Sequence, residues 1–318
     1  MLDSLRFVQG AVAKKDYVPA LSHFHICNGI VLGYNGTIAL CTPVDMDLAC
    51  SPKAGPFVKA IQTCREDTIQ LSLTPTGRLS IRSGSFSAFV DCLEDAFPSI
   101  GPEGAEIRVP GGILEALNRL SPFISEDASR PWSRGILLRG DCAYATNNII
   151  VVEYKLGYSV PVDINLPEIA INELLRIGQE PTRIQVTSGS ATFWFEGGRW
   201  LRTQLLSTEW PPLEKILNVP NAPAPLPQGI FTALTDLLPF IDNLERVFFL
   251  NDSVVTSLAE GTGASVSVPG LTGGPCFNVK HFLKLEDTVE EIDLSLYPRP
   301  CLFRGKNIRG AIVGMNNQ

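Results

Sequence analysis

Apolar residues recur along this chain in two rhythms. Spacings of three and four predict helices, as at Phe57, Ala60, Ile61 and Cys64 in PFVKAIQTCRED (56–67) and at Ile169, Leu174 and Ile177 in PEIAINELLRIG (167–178). Alternation predicts strands, and IQLSLT (69–74), IQVTSG (184–189) and IDLSLY (292–297) share one such pattern. GIVLGYNGTIAL (29–40) and GILLRGDCAYAT (135–146) are apolar runs interrupted by Gly, Asn or Asp, which predicts a hairpin in each. FNVKHFLKLEDTVEE (277–291) predicts a further helix, and CLFRG followed by RGAIVGM predicts a closing strand pair.

The rhythms return because segments return. VPGGILEALNRLSPFI (109–124) and LPQGIFTALTDLLPFI (226–241) share nine of sixteen residues in one ungapped register, 117 positions apart. A match of that extent marks a duplicated unit of domain size, and such repeats decide the fold. Segments 75–100 and 188–213 also align without a gap. They end in AFPSI (96–100) and EWPPL (209–213), each an aromatic residue, a proline and an apolar anchor. GPEGAE (101–106) and the proline-rich NAPAPLPQG (221–229) are expected to be linkers. The chain therefore divides into three units, 1–104, 105–218 and 219–318. Each orders helix, strands, helix, strands. That is an α+β module in which helices cover one face of an antiparallel sheet. The third unit lacks the aromatic–proline ending, as expected if that ending connects one unit to the next.

Composition narrows the function classes. At 318 residues with 45% hydrophobic and 19% charged content, each unit is large enough to bury its own core. No apolar run approaches the length that spans a membrane, and MLDSLRFVQGAVAKK lacks the basic-then-apolar layout of a signal peptide. An intracellular protein is expected. Eight scattered cysteines without a C-x-x-C pair predict buried free thiols. A net charge of −7 disfavours indiscriminate nucleic-acid binding by the whole surface, yet allows a localised basic lining. His23, His25 and Cys27 alternate along HFHIC as a metal site might, but no fourth ligand is identifiable and a half-exposed strand is expected. GTGAS (261–265) lacks the third glycine and following helix of a dinucleotide loop. No nucleophile elbow, P-loop or zinc-protease motif occurs, and three histidines leave few candidates for acid–base work. No catalytic residue, metal or cofactor is assigned.

The order of these features resembles the bacterial DNA polymerase sliding clamps, the beta subunit of DNA polymerase III. CAYATNNIIVV (142–152) is similar to the family's second-domain strand, which usually reads Ala-Thr-Asp-Gly-His-Arg-Leu. The aromatic–proline tails resemble its domain-closing Phe-Pro. FNVKHFL (277–283) resembles its third-domain helix, and GAIVGM (310–315) matches its last strand in type and place. Asn147-Asn148-Ile149-Ile150 replaces the usual Asp-Gly-His-Arg, which is compatible with a divergent, bacteriophage-borne member.

The resemblance implies three tandem clamp modules with helices inside and sheets outside, closing as a head-to-tail homodimer around double-stranded DNA in the cytoplasm of a bacterium or infected host. It implies a processivity factor that tethers the polymerase without chemistry of its own. Topological holding needs only sequence-independent phosphate contacts. The basic residues of the candidate lining are Arg6, Lys14, Lys15, Lys53, Lys59, Arg65, Arg119, Arg176, Arg183, Lys280 and Lys284; each is equally compatible with a solvated helix face. The resemblance also implies a groove for the peptide tails of polymerase and clamp-loader subunits. Its expected wall is Tyr144, Thr146, Ile149, Val151, Pro211, Lys215, Ile216, Asn278, His281, Val313 and Met315, of which Ile149, Val151 and Val313 could instead be strand core. Ile107, Val109, Leu238 and Phe240 are the candidates for the ring junction. Two rivals stay open: an enzyme on duplicated α+β domains with Asp141 or Glu153 at an interface, and a structural ring without DNA.

Overall fold

Asn28 and Gly29 take φ of 51° and 71°, the left-handed pair that returns one strand against the next with the native twist. They join β1 (His25–Cys27) to β2 (Ile30–Tyr34), which pairs onward with β3 (Ile38–Pro43) behind α1 (Leu2–Gln9). The computed structural model describes residues 1–15, 18–94 and 97–316, so Ala96 of the AFPSI segment lies outside the described residues. After β3 come α2 (Ala54–Thr63), β4 (Gln70–Leu73), β5 (Leu79–Ser83), β6 (Phe86–Val90), β7 (Ala105–Arg108) and α3 (Ile113–Leu120). The middle of the chain forms β8 (Gly135–Thr146), β9 (Ile150–Pro167), α4 (Glu168–Ile177), β10 (Arg183–Val186), β11 (Ser190–Trp194), β12 (Trp200–Gln204) and α5 (Glu214–Leu217). The remainder forms β13 (Ala224–Pro225), α6 (Ile230–Leu237), β14 (Arg246–Leu250), β15 (Ser253–Val255), β16 (Ser265–Ser267) and β17 (Cys276–Asn278). It closes with α7 (Val279–Leu283), β18 (Glu291–Ile292), β19 (Cys301–Gly305) and β20 (Ile308–Ile312). Every strand pair is antiparallel, and the chain has the expected α+β class.

Two compact units result. The first contains Met1–Leu114 and Ile169–Leu206. Its seven-stranded sheet runs β1-β2-β3-β12-β11-β10-β7, and β4-β5-β6 form a separate three-stranded sheet. The seven-stranded sheet joins segments far apart in sequence: β3 meets β12 with Leu40 opposite Leu201. α1 packs on β2, β3 and α2, burying Leu5, Phe7 and Val8. Phe97 and Ile100 of the first aromatic–proline tail pack on Leu32, Ala39, Cys41 and Trp200 of this sheet.

The second unit contains Glu115–Glu168 and Ser207–Gln318. Its six-stranded sheet runs β13-β18-β19-β20-β9-β8, and β16-β15-β14-β17 form a four-stranded sheet. The second tail repeats the packing of the first, with Trp210 and Leu213 on Leu137, Val151, Leu302 and Ala311.

Several local expectations need correction. The predicted hairpin within 135–146 is one strand: its Gly140 interruption is a bulge with register shifts between Leu138 and Cys142, and the chain reverses later, where Asn148 takes φ of 71°. Strand 292–297 stops at Ile292. Asp293 accepts hydrogen bonds from the Ser295 amide and hydroxyl and from the Ala222 amide, which turns the chain at once. The helix expected over 277–291 begins only at Val279, after β17. Asn278 Oδ1 caps it by accepting from the His281 amide at 3.1 Å, and it ends at Leu283. Both expected linkers are partly structured, since β7 starts at Ala105 and β13 pairs with β18. His25 stacks on Phe97 and bonds Ser51, while His23 bonds the Pro19 carbonyl. All eight cysteines are free, four buried and four half-buried, and burial pushes the thiols of Cys41 and Cys301 up to about 12. Among the described residues no helix is long and apolar enough to cross a membrane.

Candidate functional site

The β20–β9 pair of the six-stranded sheet supplies the floor of a groove. β20 sets Ala311 opposite Val151 and Ile312 opposite Ile150. The second aromatic–proline tail crosses this sheet, and Trp132 meets Trp210 edge-on at 5.0 Å between ring centroids. Between tail and sheet lies a cavity of ≈ 520 Å³ lined by Arg130, Trp132, Thr146, Asn148, Ile149, Ile150, Val151, Glu209, Pro211, Leu213, Ile216, Pro300, Ala311 and Val313. It is open, mostly apolar, and rimmed by one cation and one carboxylate.

Six of the eleven expected wall residues meet here: Thr146, Ile149, Val151, Pro211, Ile216 and Val313. Thr146 earns its place through the turn. Its hydroxyl donates to the Ile150 carbonyl at 2.7 Å and accepts from the Asn148 amide at 3.1 Å. The other five do not line the cavity. Tyr144 packs against the cluster beneath it, and Lys215 lies in an adjoining slot. Asn278 spends its side chain capping α7 and reaching Glu245. His281 bonds Asn147, and Met315 is held by main-chain bonds, its amide to the Cys276 carbonyl at 2.7 Å and its carbonyl to the Tyr297 hydroxyl at 2.6 Å. Trp132, Arg130 and Pro300, on loops before β8 and β19, escaped sequence reasoning. A lone tryptophan after SRP and the Pro-Arg-Pro punctuation were the only signals available for them.

The turn beside the groove meets the half-buried His281. Asn147 Oδ1 accepts from the Ile149 and Ile150 amides, so its Nδ2 faces His281 Nδ1 at 3.4 Å and donates to it. That nitrogen must then be unprotonated. Desolvation, and next Lys284, hold the His281 pKa below its ordinary 6.5, against a smaller opposing pull from Glu245. Between the lowered value and 6.5 the unfolded chain binds more protons than the folded one, so stability falls as pH drops through that window. Urea midpoints measured from pH 7.5 downward are expected to decline below about 6.5. His281→Gln should flatten part of that decline; an unchanged slope in the variant would contradict the assignment.

Both carboxylates of the rival enzyme reading face cations. Glu153 receives Arg309 Nε at 2.6 Å and Nη2 at 2.9 Å, one on each oxygen, and Asp141 faces Lys155 at 3.8 Å.

No protein-family model matches the sequence, and no curated protein matches it. Solved structures do. A DNA polymerase sliding clamp from Pseudomonas aeruginosa matches with a TM-score of 0.84 at 18% identity, covering 99% of this chain and 97% of that one. The beta subunit of DNA polymerase from Streptococcus pyogenes matches at 0.83 and 15% identity, with the same coverage. A Helicobacter pylori beta clamp bound to a DNA ligase peptide matches at 0.80 and 18% identity, again over 99% and 97% of the two chains. This chain has the sliding-clamp fold.

The basic residues of the expected lining divide. Arg6 on α1 and Lys59 on α2 are exposed helix positions. Lys14 and Lys15 lie beyond the end of α1 and Arg65 beyond the end of α2, while Lys53 is the N-cap of α2. Lys15 and Lys53 are engaged within the chain, as are the remaining five. Arg176 forks onto the buried Glu173 and donates to the Phe7 carbonyl at 2.9 Å. Arg119 donates to the Asp287 carbonyl at 2.8 Å, Lys284 to the Pro122 carbonyl at 3.0 Å, and Lys280 pairs with Glu245. Arg183 sits on a strand, β10, rather than a helix. It lies over the Trp194 ring at 4.6 Å with Glu106 3.5 Å away. The junction candidates divide too. Ile107 pairs with Ile184 at the β7 edge of the seven-stranded sheet, and Val109 is only 7% exposed. Leu238 and Phe240 are 39% and 61% exposed.

Proposed function

We propose that this chain is a DNA sliding clamp and does no chemistry: two copies join head to tail into a ring that encircles duplex DNA and tethers a replicative polymerase in the cytoplasm. Each copy contributes three modules, with boundaries near residues 104 and 218. The observation that carries this reading is how the modules share their sheets. The seven-stranded sheet combines β1–β3 of the first module with β7 and β10–β12 of the second. The six-stranded sheet combines β8 and β9 of the second with β13 and β18–β20 of the third. What remains is a three-stranded sheet in the first module and a four-stranded sheet in the third, both with unpaired edges. Pairing β6 of one copy with β16 of the next restores a seven-stranded sheet like the one already present. Exposed Phe89 on β6, with Leu238, Phe240 and Leu244 after α6, supplies apolar surface for that junction.

Within the ring, Arg6, Lys14, Lys59 and Arg65 supply phosphate contacts that exchange without net cost as the ring slides. The groove takes an extended peptide from a polymerase or clamp-loader subunit, as the H. pylori clamp takes a DNA ligase peptide. The test is loading onto nicked circular DNA. The ring should stay bound at salt that abolishes ordinary phosphate contacts and should leave once the circle is cut; indifference to linearisation would sink the proposal.

The groove makes a separable prediction. Val313 is 40% exposed at its wall, so Val313→Asp adds an unpaired carboxylate at an apolar contact with little cost to the fold. Affinity for a partner peptide should fall by about 30-fold, roughly 2 kcal/mol, while retention on circular DNA is unchanged. Fluorescence anisotropy and the retention assay read the two outcomes independently.

A further inference from the structure

We propose that Cys50 and Cys92 form a dithiol site whose oxidation to an intrachain disulfide displaces the end of β6 and loosens the ring junction. The consequence for the junction rests on the head-to-tail reading above; the disulfide itself rests on where the fold places the two thiols.

A short ribbon outside the numbered strands sets that placement. Residues 50–53 pair with the β1 segment, Cys50 opposite Ile26 and Lys53 opposite His23. On their other side they meet the residues that follow β6. Pro52 lies opposite Cys92, the Leu93 amide donates to the Ser51 carbonyl at 2.8 Å, and the Lys53 amide donates to the Asp91 carbonyl at 2.9 Å. The ribbon therefore stitches β1, at one end of the seven-stranded sheet, to the end of β6 in the three-stranded sheet. Side chains alternate across an extended segment, so Cys50 and Pro52 share a face, and Cys92 shares it with them. The two thiols meet there as diagonal neighbours, and the Cys50 thiol donates to the Cys92 sulfur. Both are half-buried and so within reach of a small reagent, whereas Cys41, Cys142, Cys276 and Cys301 are buried.

The two thiols have different parts in the reaction. The Cys92 sulfur accepts from the Leu79 amide as well as from Cys50, and two donors favour its thiolate over that of its neighbour. Burial pushes the Cys50 thiol up to about 12 and raises Cys92 as well, so the pair stays reduced until a thiol-specific oxidant arrives. With diamide, the Cys92 thiolate adds to the N=N bond; Cys50 then attacks the Cys92 sulfur and expels the hydrazine. One S–S bond forms, the N=N bond is reduced to N–N, and the two thiol protons end on its nitrogens. Diagonal Cα atoms stand roughly 7–8 Å apart, beyond the ~4.4–6.8 Å that a disulfide spans, so closing the bond draws the ribbon and the end of β6 together. β6 carries Phe89, 58% exposed, toward the proposed junction. A displaced edge no longer meets a partner strand in register. The same strain leaves the bond easy for thiol reductants to reopen, which makes the switch reversible.

The test treats the full chain with diamide, blocks remaining thiols with a maleimide, and maps cross-links by mass spectrometry of a digest made without reductant. Sedimentation equilibrium follows self-association before oxidation, after it, and after added reductant. A Cys50–Cys92 cross-link should dominate the map. The dimer should weaken at least about tenfold, as loss of edge hydrogen bonds predicts, and reductant should restore it. Cys50→Ser and Cys92→Ser, each alone, should associate as the parent does and ignore diamide. Cross-links elsewhere, or none, would overturn the site. A Cys50–Cys92 disulfide with unchanged association would overturn the switch, as would a diamide effect that persists in C50S and C92S. A parent that is monomeric before oxidation would overturn the ring reading and the switch together, while the mapped cross-link decides the dithiol site on its own.

Discussion

Phe240→Asp is expected to leave a monomer at concentrations where the parent chain is a dimer. Phe240 is 61% exposed and is flanked by Leu238 and Leu244 at 39% and 56%, a density of exposed apolar side chains that a lone copy gains nothing by keeping. Burying the ring at a junction contributes about 1.5–3 kcal/mol. A carboxylate in its place removes that and adds a desolvation cost of about 1–3 kcal/mol. A total near 4 kcal/mol corresponds to roughly a thousandfold weaker dimer. Because the side chain is exposed in the single copy, the fold itself should change by less than about 0.5 kcal/mol. Sedimentation equilibrium should therefore show dissociation while the melting profile of the protomer is retained, and retention on circular DNA should disappear with the dimer. A variant that stays dimeric would move the junction away from this patch.

The second large effect lies beneath the groove. Gly310 occupies the middle of β20, opposite Phe303 on β19 and Val152 on β9. A Cβ there would overlap the Phe303 ring and the Val151 carbonyl. Phe303 is 1% exposed, and the carbonyl belongs to a paired strand, so neither can give way cheaply. Gly310→Ala should cost about 3 kcal/mol, lowering the transition of the second compact unit by roughly 6–12 °C. Peptide binding should weaken in parallel, since Val151 and Ala311 line the cavity. A calorimetric trace showing the first unit unmoved and the second shifted would locate the damage. A variant that melts like the parent would mean the sheet is not packed as described.

What was legible in the sequence was local. The spacing at Phe57, Ala60 and Ile61 gives α2, and the break within 29–40 and the CLFRG–RGAIVGM pair give hairpins, because neighbours along the chain decide these elements. IDLSLY failed for the same reason: its alternation matches a strand, yet the Asp293 side chain hydrogen-bonds forward and wins locally. Gly140 reads locally as a turn, whereas the bulge it makes depends on β9, some twenty residues away. The apolar half of the groove was legible because Ile149, Val151, Pro211, Ile216 and Val313 lie in segments that carry the resemblance. Its polar rim was not. Arg130 and Glu209 sit on loops whose course is set by the sheet they cross, and no periodicity marks them. Nor could spacing reveal that Arg119, Arg176 and Lys280 are held by carbonyls and carboxylates distant in sequence.

The pairing of Leu40 with Leu201 also sets a timetable for synthesis. At about 5–20 residues per second, on the order of 10–30 s separates emergence of β3 from that of the strand that covers it. Through that interval the apolar edge of β3, Ile38 to Cys41, stands open on a half-sheet that cannot finish itself. Ribosomes stalled anywhere between these two strands would display the same edge, so early termination products should aggregate far more readily than the finished chain. The arrangement that ties the first module to the second thus makes the nascent chain dependent on uninterrupted translation, or on a chaperone that shields the edge until Leu201 arrives.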